Sequence, residues 1–455
     1  MDDLDLSLWR EGITPPSAEA REEALARQDR LTKPSGALGR LEELSVWLSG
    51  VSGQCPPPPL RQPALAIFAS DHGIARTAGT SAYPPEVTAQ MVANFVAGGA
   101  AATVLARSRG ARVRVVDVGV DIDWPASGLP VPGSVTADRI RRGTGSIDRE
   151  DAMTRQESIA ALRLGARVVD ELVDDGADQL IPGDMGIGNT TPAAALVGLL
   201  ADVEPAAGVG RGTGVDDVTW MRKTAAVRDA MRRGRPHKGD PVQLLATVGG
   251  PDFAATTGFL LQAALRRTPV LLDGVVSCAC ALVAHRIAFR APQWWAASHL
   301  STEPAAAAAL KRLGLTPLLD LGMRLGEGSG ALVALPLLGA AGDLLREMAT
   351  FESAGVSDRT PEPVEADSQT RGDRDPDSPD ADDGPDDLTP GDRAPGDRAA
   401  DRATAGADGY RADPDADNGL GTAQADPDAD DGPGTAQADP DAHDGPGTAR
   451  APEEA

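Results

Sequence analysis

"DQLIPGDMGIGNTTPAAAL" (residues 178–196) runs an apolar stretch into an acid, then a glycine-rich turn, then an alanine-rich segment. Strand, turn and helix in that order form the unit of a parallel sheet, whose neighbouring strands need a crossover helix between them. The alternation continues in both directions. "ALAIFAS" (64–70), "RVRVVDVGV" (112–120), "PVLLDG" (269–274) and "WWAASHLS" (294–301) read as further buried strands. Residues 84–107, 151–176 and 216–234 carry apolar positions at three-and-four spacing, several opening on Pro or Asp, and read as helices. The expected fold class is α/β: a parallel sheet flanked by helices, forming a Rossmann-like large domain over residues 61–350. Residues 1–60 form a small helical part, where "ALGRLEELSVWLSG" is halted by "CPPPP".

Charge divides the chain. Of its 68 acidic and 43 basic residues, 29 acids but only 8 bases lie in residues 351–455, so that segment carries most of the net charge of −25. It repeats a 13-residue unit ("ADPDADNGLGTAQ", "ADPDADDGPGTAQ", "ADPDAHDGPGTAR") between Ala412 and Arg450, with Phe351 and Tyr410 its only aromatics. Such a unit has no apolar face with which to offset the entropy of ordering, so a disordered acidic tail is expected. A calcium-binding β-roll is the competing reading, but it needs a core residue in each unit that Ala and Pro supply poorly.

The acidic start, "MDDLDLSLWREG", has no apolar core of signal-peptide length, and a cytoplasmic protein is expected. The richest apolar stretch, residues 269–285, is interrupted by Asp273, so no membrane span is expected. Three cysteines, Cys55, Cys278 and Cys280, are too few for a disulfide framework, and the five histidines show no metal-ligand spacing. No metal or other cofactor is expected. Net acidity argues against a nucleic-acid partner.

Polar clusters follow the expected strands. In a parallel sheet the carboxyl ends of the strands line one crevice, so these clusters should face a common site. In residues 183–196 the glycines and the helix start could cradle a phosphate, or Thr190 or Thr191 could simply cap the helix; the residues alone leave both open. Residues 208–217 ("GVGRGTGVDD") lack a preceding strand and are a weak dinucleotide signal. Asp71 and His72 read as loop-orienting residues more than as an acid/base pair. Ser298 and His299 are adjacent, which rarely makes a working nucleophile and base. Cys278 and Cys280 should pack as small hydrophobes. Glu327, in "LGEGSGALVALPLL", stands between glycines before an apolar helical run. It is either a helix-start acid or a general base around which the glycines clear space for a ligand.

Several long strings, in order, resemble one family. "KPSGALGRLE" (33–42), "DHGIARTAGTSAYPPEVTAQMVANFVAGGAA" (71–101), "GDMGIGNTT", "GRGTGVDD", "RTPVLLDG", "SHLSTEP" and "LGLTPLLDLGMRLGEGSGALVALPLL" are similar to the nicotinate-nucleotide:dimethylbenzimidazole phosphoribosyltransferases of cobalamin biosynthesis. The resemblance covers about residues 30–345. It implies transfer of ribose 5-phosphate from nicotinate mononucleotide to 5,6-dimethylbenzimidazole, a homodimer, and a small domain built from both ends of the matching region. It further implies that Glu327 is the general base with Asp184 as a second acid, and that Gly186, Gly188, Asn189, Thr190, Thr191, Lys223 and Gly326 hold the mononucleotide. Ser81, Tyr83, Gln90, Met185 and Leu325 would bind the base. The family usually reads "GEMGIGNTT", so Asp184 is one methylene shorter than its counterpart, and "KPSGALG" stands for "KPPGSLG". The tail has no counterpart, and its partner is not legible. Transfer to another purine or benzimidazole, or a non-catalytic nucleotide-binding module, are the alternatives.

If the tail lacks a core, cutting the chain near residue 352 leaves turnover intact. Steady-state rates of the truncated and full chains, measured side by side, check this; a large fall in kcat with the fold preserved would place the tail in the site.

Overall fold

The computed structural model describes residues 4–358. Its centre is a six-stranded sheet: β1 (Pro63–Ser70), β2 (Arg112–Gly119), β3 (Gln179–Met185), β4 (Val270–Leu272), β5 (Trp295–His299) and β6 (Pro317–Leu319). The spatial order is β2-β1-β3-β4-β5-β6, and every neighbouring pair is parallel. From β1 the chain passes to β2 on one side, then returns to place β3 on the other. That reversal makes the gap between the carboxyl ends of β1 and β3 the topological switch point, where ligands bind in open parallel sheets.

Side chains alternate across the sheet with the period of a strand. Ala64, Ala66 and Phe68 of β1 enter one core, with the helices Arg155–Asp174, Thr190–Leu200, Pro251–Leu265 and Val275–Ile287. Leu65, Ile67 and Ala69 enter the other, with Val87–Ala97, Ala101–Ser108 and Ser329–Glu347. With both faces covered, every residue of β1 and β3 is buried. Cys278 and Cys280 lie inside the first core, as small hydrophobes should.

The five expected strands are present within a residue or two. β6 has no counterpart in the sequence reading: it is three half-buried residues opening on Pro317, too short and too exposed to give a pattern. The helix expected over 84–107 is two helices, broken at Gly98, whose φ of +78° no helix accommodates. The helix Arg155–Asp174 starts on a capping box, with Thr154 and Glu157 each satisfying the other's backbone N–H. Ser329–Glu347 is long and apolar enough to cross a membrane by composition, but more than half of it is buried in this fold.

A third, small core joins the two ends of the described chain. Ala24, Leu31, Val46 and Leu345 pack together, and the Arg27 guanidinium donates to the carbonyls of Leu345 (2.6 Å) and Arg346 (3.1 Å). Leu31 bridges Thr350, and the helix Phe351–Ala354 follows. Ordered backbone therefore runs past residue 350, where composition places the start of the tail; the capping box of Thr350 and Ser353 is the local reason. The acidic repeats lie outside the described residues.

The helices Arg155–Asp174 and Pro251–Leu265 touch through glycine. A Cβ on Gly165 would collide with the Ala255 carbonyl, and one on Gly258 with the Leu162 carbonyl. Gly165→Ala should therefore destabilise the fold by about 1–3 kcal/mol, although alanine is the better helix former by about 1 kcal/mol. Urea unfolding midpoints of the two proteins check this.

Candidate active site

The loop after β3 folds against the loop after β1. A Cβ on Gly186 would strike the Ser70 carbonyl, and Gly188, at φ +94°, lies so close to Ala75 that a Cβ there would sit 2.8 Å from the alanine Cβ. Gly186 is demanded by neighbouring backbone, and Gly188 by its own φ and the Ala75 side chain. The N–H of Ile187 donates to Thr88 Oγ1 (3.1 Å), tying this loop to the helix Val87–Ala97.

Neither threonine caps the helix that follows. Its N-cap is Asn189, which makes no side-chain cap; the Asn189 amide instead donates to Asp184 Oδ2 (2.6 Å). Thr191 Oγ1 is buried without a partner, and Thr190 Oγ1 accepts from Lys223 Nζ (2.8 Å). The capping alternative thus gives way to an uncapped helix start with a buried cation beside it, the arrangement that suits an anion. Lys223 lies in the helix Asp217–Gly234, fully buried, and also donates to the Gly210 carbonyl (3.1 Å). Burial lowers its pKa, while nearby Glu303 opposes the fall. Glu303 in turn accepts from the Gly212 N–H (2.7 Å), clasping the second glycine-rich loop.

Glu327 sits in an unusual turn packed against β3, where a Cβ on Gly183 would come 2.7 Å from its carbonyl oxygen. Gly326, Glu327 and Gly328 have φ of +83°, +63° and +84°. A left-handed residue with a side chain costs about 1–2 kcal/mol, and such strain clusters at functional sites. Two of the glycines are explained by backbone and packing more than by clearance around the carboxylate: Gly328 by its φ and by Leu65, Gly330 by the His299 ring, which a Cβ would enter. Only Gly326 opens toward another acid, with Asp184 3.5 Å from where its Cβ would be.

Glu327 is buried and its Oε2 has no partner. Burial raises its pKa to about 7; the Ala102 N–H, from the first turn of Ala101–Ser108, opposes the rise, and the Asp273 carboxylate adds to it. The helix start that opposes the rise is thus not its own. Asp184, at the end of β3, is pushed well above the usual carboxylate range by burial, then by Asp273, Asp252 and Glu327. Asp273, just past β4, accepts from the N–H groups of Gly328 and Ala331 (3.0 Å each). Among the described residues no group of three or more His, Cys, Asp or Glu side chains is placed to hold a metal ion.

The base-binding candidates divide. Met185 is buried at the end of β3. Ser81 Oγ lies 3.4 Å from Thr213 Oγ1, bringing its segment to the second glycine-rich loop. Gln90 lines a cavity of about 460 Å³ with Asp71, Arg76 and Glu86. Tyr83 and Leu325 are both 56% exposed, with the apolar surface of each open to solvent. His72 Nε2 lies 3.0 Å from Asp252 Oδ2 in the interior. Ser298 Oγ lies 2.9 Å from its neighbour's His299 Nδ1, and that ring stands 3.9 Å from Asp273. The strand-end clusters that hold Asp273 and Glu303 were expected at the site without either acid being singled out, and Asp252 was passed over. For Asp273 a signal existed: it is a charge immediately after a fully apolar strand.

A family model described as Phosphoribosyltransferase matches residues 13–356, which places the protein among the phosphoribosyltransferases. A Mycobacterium avium protein named nicotinate-nucleotide–dimethylbenzimidazole phosphoribosyltransferase is 56% identical over 351 residues, covering 77% of this chain and 99% of the relative. Its Mycobacterium tuberculosis namesake is 56% identical over 353 residues, covering 78% and 96%. The crystal structure of the Thermus thermophilus enzyme of that name superposes with a TM-score of 0.70 at 41% identity, covering 75% of this chain and all of that one. The chain belongs to the nicotinate-nucleotide:dimethylbenzimidazole phosphoribosyltransferase family.

A base works only when deprotonated. If Glu327 is that base, its pKa, raised to about 7, makes kcat/KM climb about tenfold per pH unit below that value and level off above it. A pH–rate profile between pH 5 and 9, reporting the free enzyme, checks this.

Proposed function

We propose that this chain moves ribose 5-phosphate from nicotinate mononucleotide to 5,6-dimethylbenzimidazole, giving α-ribazole 5′-phosphate and nicotinate. The observation that carries the reading is Glu327: a buried carboxylate with an unpartnered oxygen and a pKa near neutrality, in the same acidic group as Asp184, which Asn189 at the uncapped helix start holds. The phosphate would lie at residues 186–191, with Lys223 turning from Thr190 and the Gly210 carbonyl to meet it. One imidazole nitrogen attacks C1′ from the face opposite the pyridinium. The C1′–N bond breaks, its electron pair leaves with nicotinate, and configuration inverts from β to α. The leaving ring is already cationic, so no acid is needed to expel it. The proton that becomes acidic on the attacking heterocycle passes to Glu327.

The neighbouring acids suit this chemistry. Asp184, Asp273 and Glu327 repel one another in the crevice, and a cationic donor relieves that repulsion as it binds. Positive charge developing on the ribose meets the same carboxylates, already oriented. Exposed Tyr83 and Leu325 are what a bound aromatic base, or the second subunit of a homodimer, would cover.

Nicotinate release, assayed against a panel of bases, tests the activity and its acceptor. Glu327→Gln keeps the shape of the side chain but cannot take the proton. Its kcat should fall by about 10² to 10⁴, while calorimetry shows the mononucleotide still bound. Turnover within a few-fold of wild type would make Glu327 a structural acid.

A further inference from the structure

The turn that carries Glu327 is not secured by its own side chain. Three consecutive residues at positive φ form a conformation that survives only where the surroundings over-determine it. Within the turn, the Gly326 carbonyl accepts both the N–H (2.9 Å) and the Oγ–H (2.7 Å) of Ser329. Those bonds close the turn on itself without fixing where it points. Gly328, the N-cap of Ser329–Glu347, has no side chain with which to cap the helix.

The missing cap comes from another element. Asp273 is buried at the end of β4, and its two oxygens are divided between two donors: Oδ2 takes the Gly328 N–H and Oδ1 the Ala331 N–H, each at 3.0 Å. One carboxylate from just past β4 therefore joins the residue after Glu327 to the first turn of the helix and fastens both to the sheet. On its other side, the turn rests on β3: a Cβ on Gly183 would come within 2.7 Å of the Glu327 carbonyl oxygen. Sheet beneath and carboxylate beside leave the turn one place to stand.

We propose that Asp273 is a positioning residue for Glu327, its carboxylate clamping the Gly328 and Ala331 amides so that the left-handed turn aims the base at the crevice. This rests on Glu327 serving as the base. The charged groups around Glu327 are Asp184 from β3 and Asp273 from β4, with His299 of β5 behind Asp273; the helix Ala101–Ser108 contributes the Ala102 N–H. Removing the Asp273 charge thus takes away one of the influences that raise Glu327.

The test compares wild type, Glu327→Gln, Asp273→Asn and the double variant, using nicotinate release, mononucleotide calorimetry and pH–rate profiles. An amide at 273 keeps one acceptor and loses the other. kcat should fall about ten- to a hundredfold, the range for a small misplacement of a reacting group, with mononucleotide affinity within about threefold of wild type, a change too small to mark a lost ligand contact. The acid limb of kcat/KM should move to lower pH. In the Glu327→Gln background the same change at 273 should cost little further, because residues acting as one unit are not additive. An equal loss in both backgrounds, a loss of mononucleotide binding, or an unmoved acid limb overturns the proposal. If Asp273→Asn fails to fold, Ala331→Pro removes one donor in the helix's first turn, where proline is tolerated; its kcat should fall in the wild-type background and not in Glu327→Gln, and any other pattern overturns the proposal. A wild type that releases no nicotinate, or a Glu327→Gln that turns over normally, sinks the underlying reading instead.

Discussion

The arrangement that the site depends on is a set of carboxylates buried at the carboxyl ends of parallel strands. Asp184 ends β3, Asp273 follows β4, and Asp252 and Glu327 approach from loops and helix starts. Like charges brought together out of water raise one another's pKa. What keeps them there is backbone and amide: N–H groups of Gly328 and Ala331 on Asp273, the Asn189 side chain on Asp184. The repulsion left unanswered, most visible at Asp184 and Glu327, is what a cationic ligand would meet.

The opposite polarity lies a short way off. Lys223, fully buried, stands beside Thr190 at an uncapped helix start. An acidic end and a basic end joined by one glycine-rich loop match a substrate with a cationic ring at one end and a phosphate at the other. The two ends are held by different parts of the fold. Lys223 belongs to the helix Asp217–Gly234 over one face of the sheet, while Glu327 leads into Ser329–Glu347 over the other. The switch point between β1 and β3 is where these two layers can address the same volume.

Much of this was legible in the chain. Five strands, most of the major helices and the acid at 327 follow from period, turn residues and charge, because buried strands need unbroken apolar runs and helices need a stripe. The breaks came where a local signal was overridden or absent. Gly98 splits a stripe that looked continuous, β6 is too short to show a period, and neither Thr190 nor Thr191 caps the helix: its N-cap is Asn189, and the Thr190 hydroxyl is taken by Lys223, 33 residues away. The glycines around Glu327 invited a reading as free space, yet Gly330 is small because the His299 ring occupies that place.

The sequence by itself determined the layered parallel architecture, the end of the sheet at which the site lies and the family, since these rest on pattern and on long strings of adjacent residues. Only the tertiary structure decided which acids meet, how their charges act on one another, and that Asp273 grips the turn of Glu327. These are contacts between residues 54 to 143 positions apart, counted from Asp273 to Glu327 and from Asp184 to Glu327. A pKa depends on burial and on neighbours in space, and neither is written in the local chain.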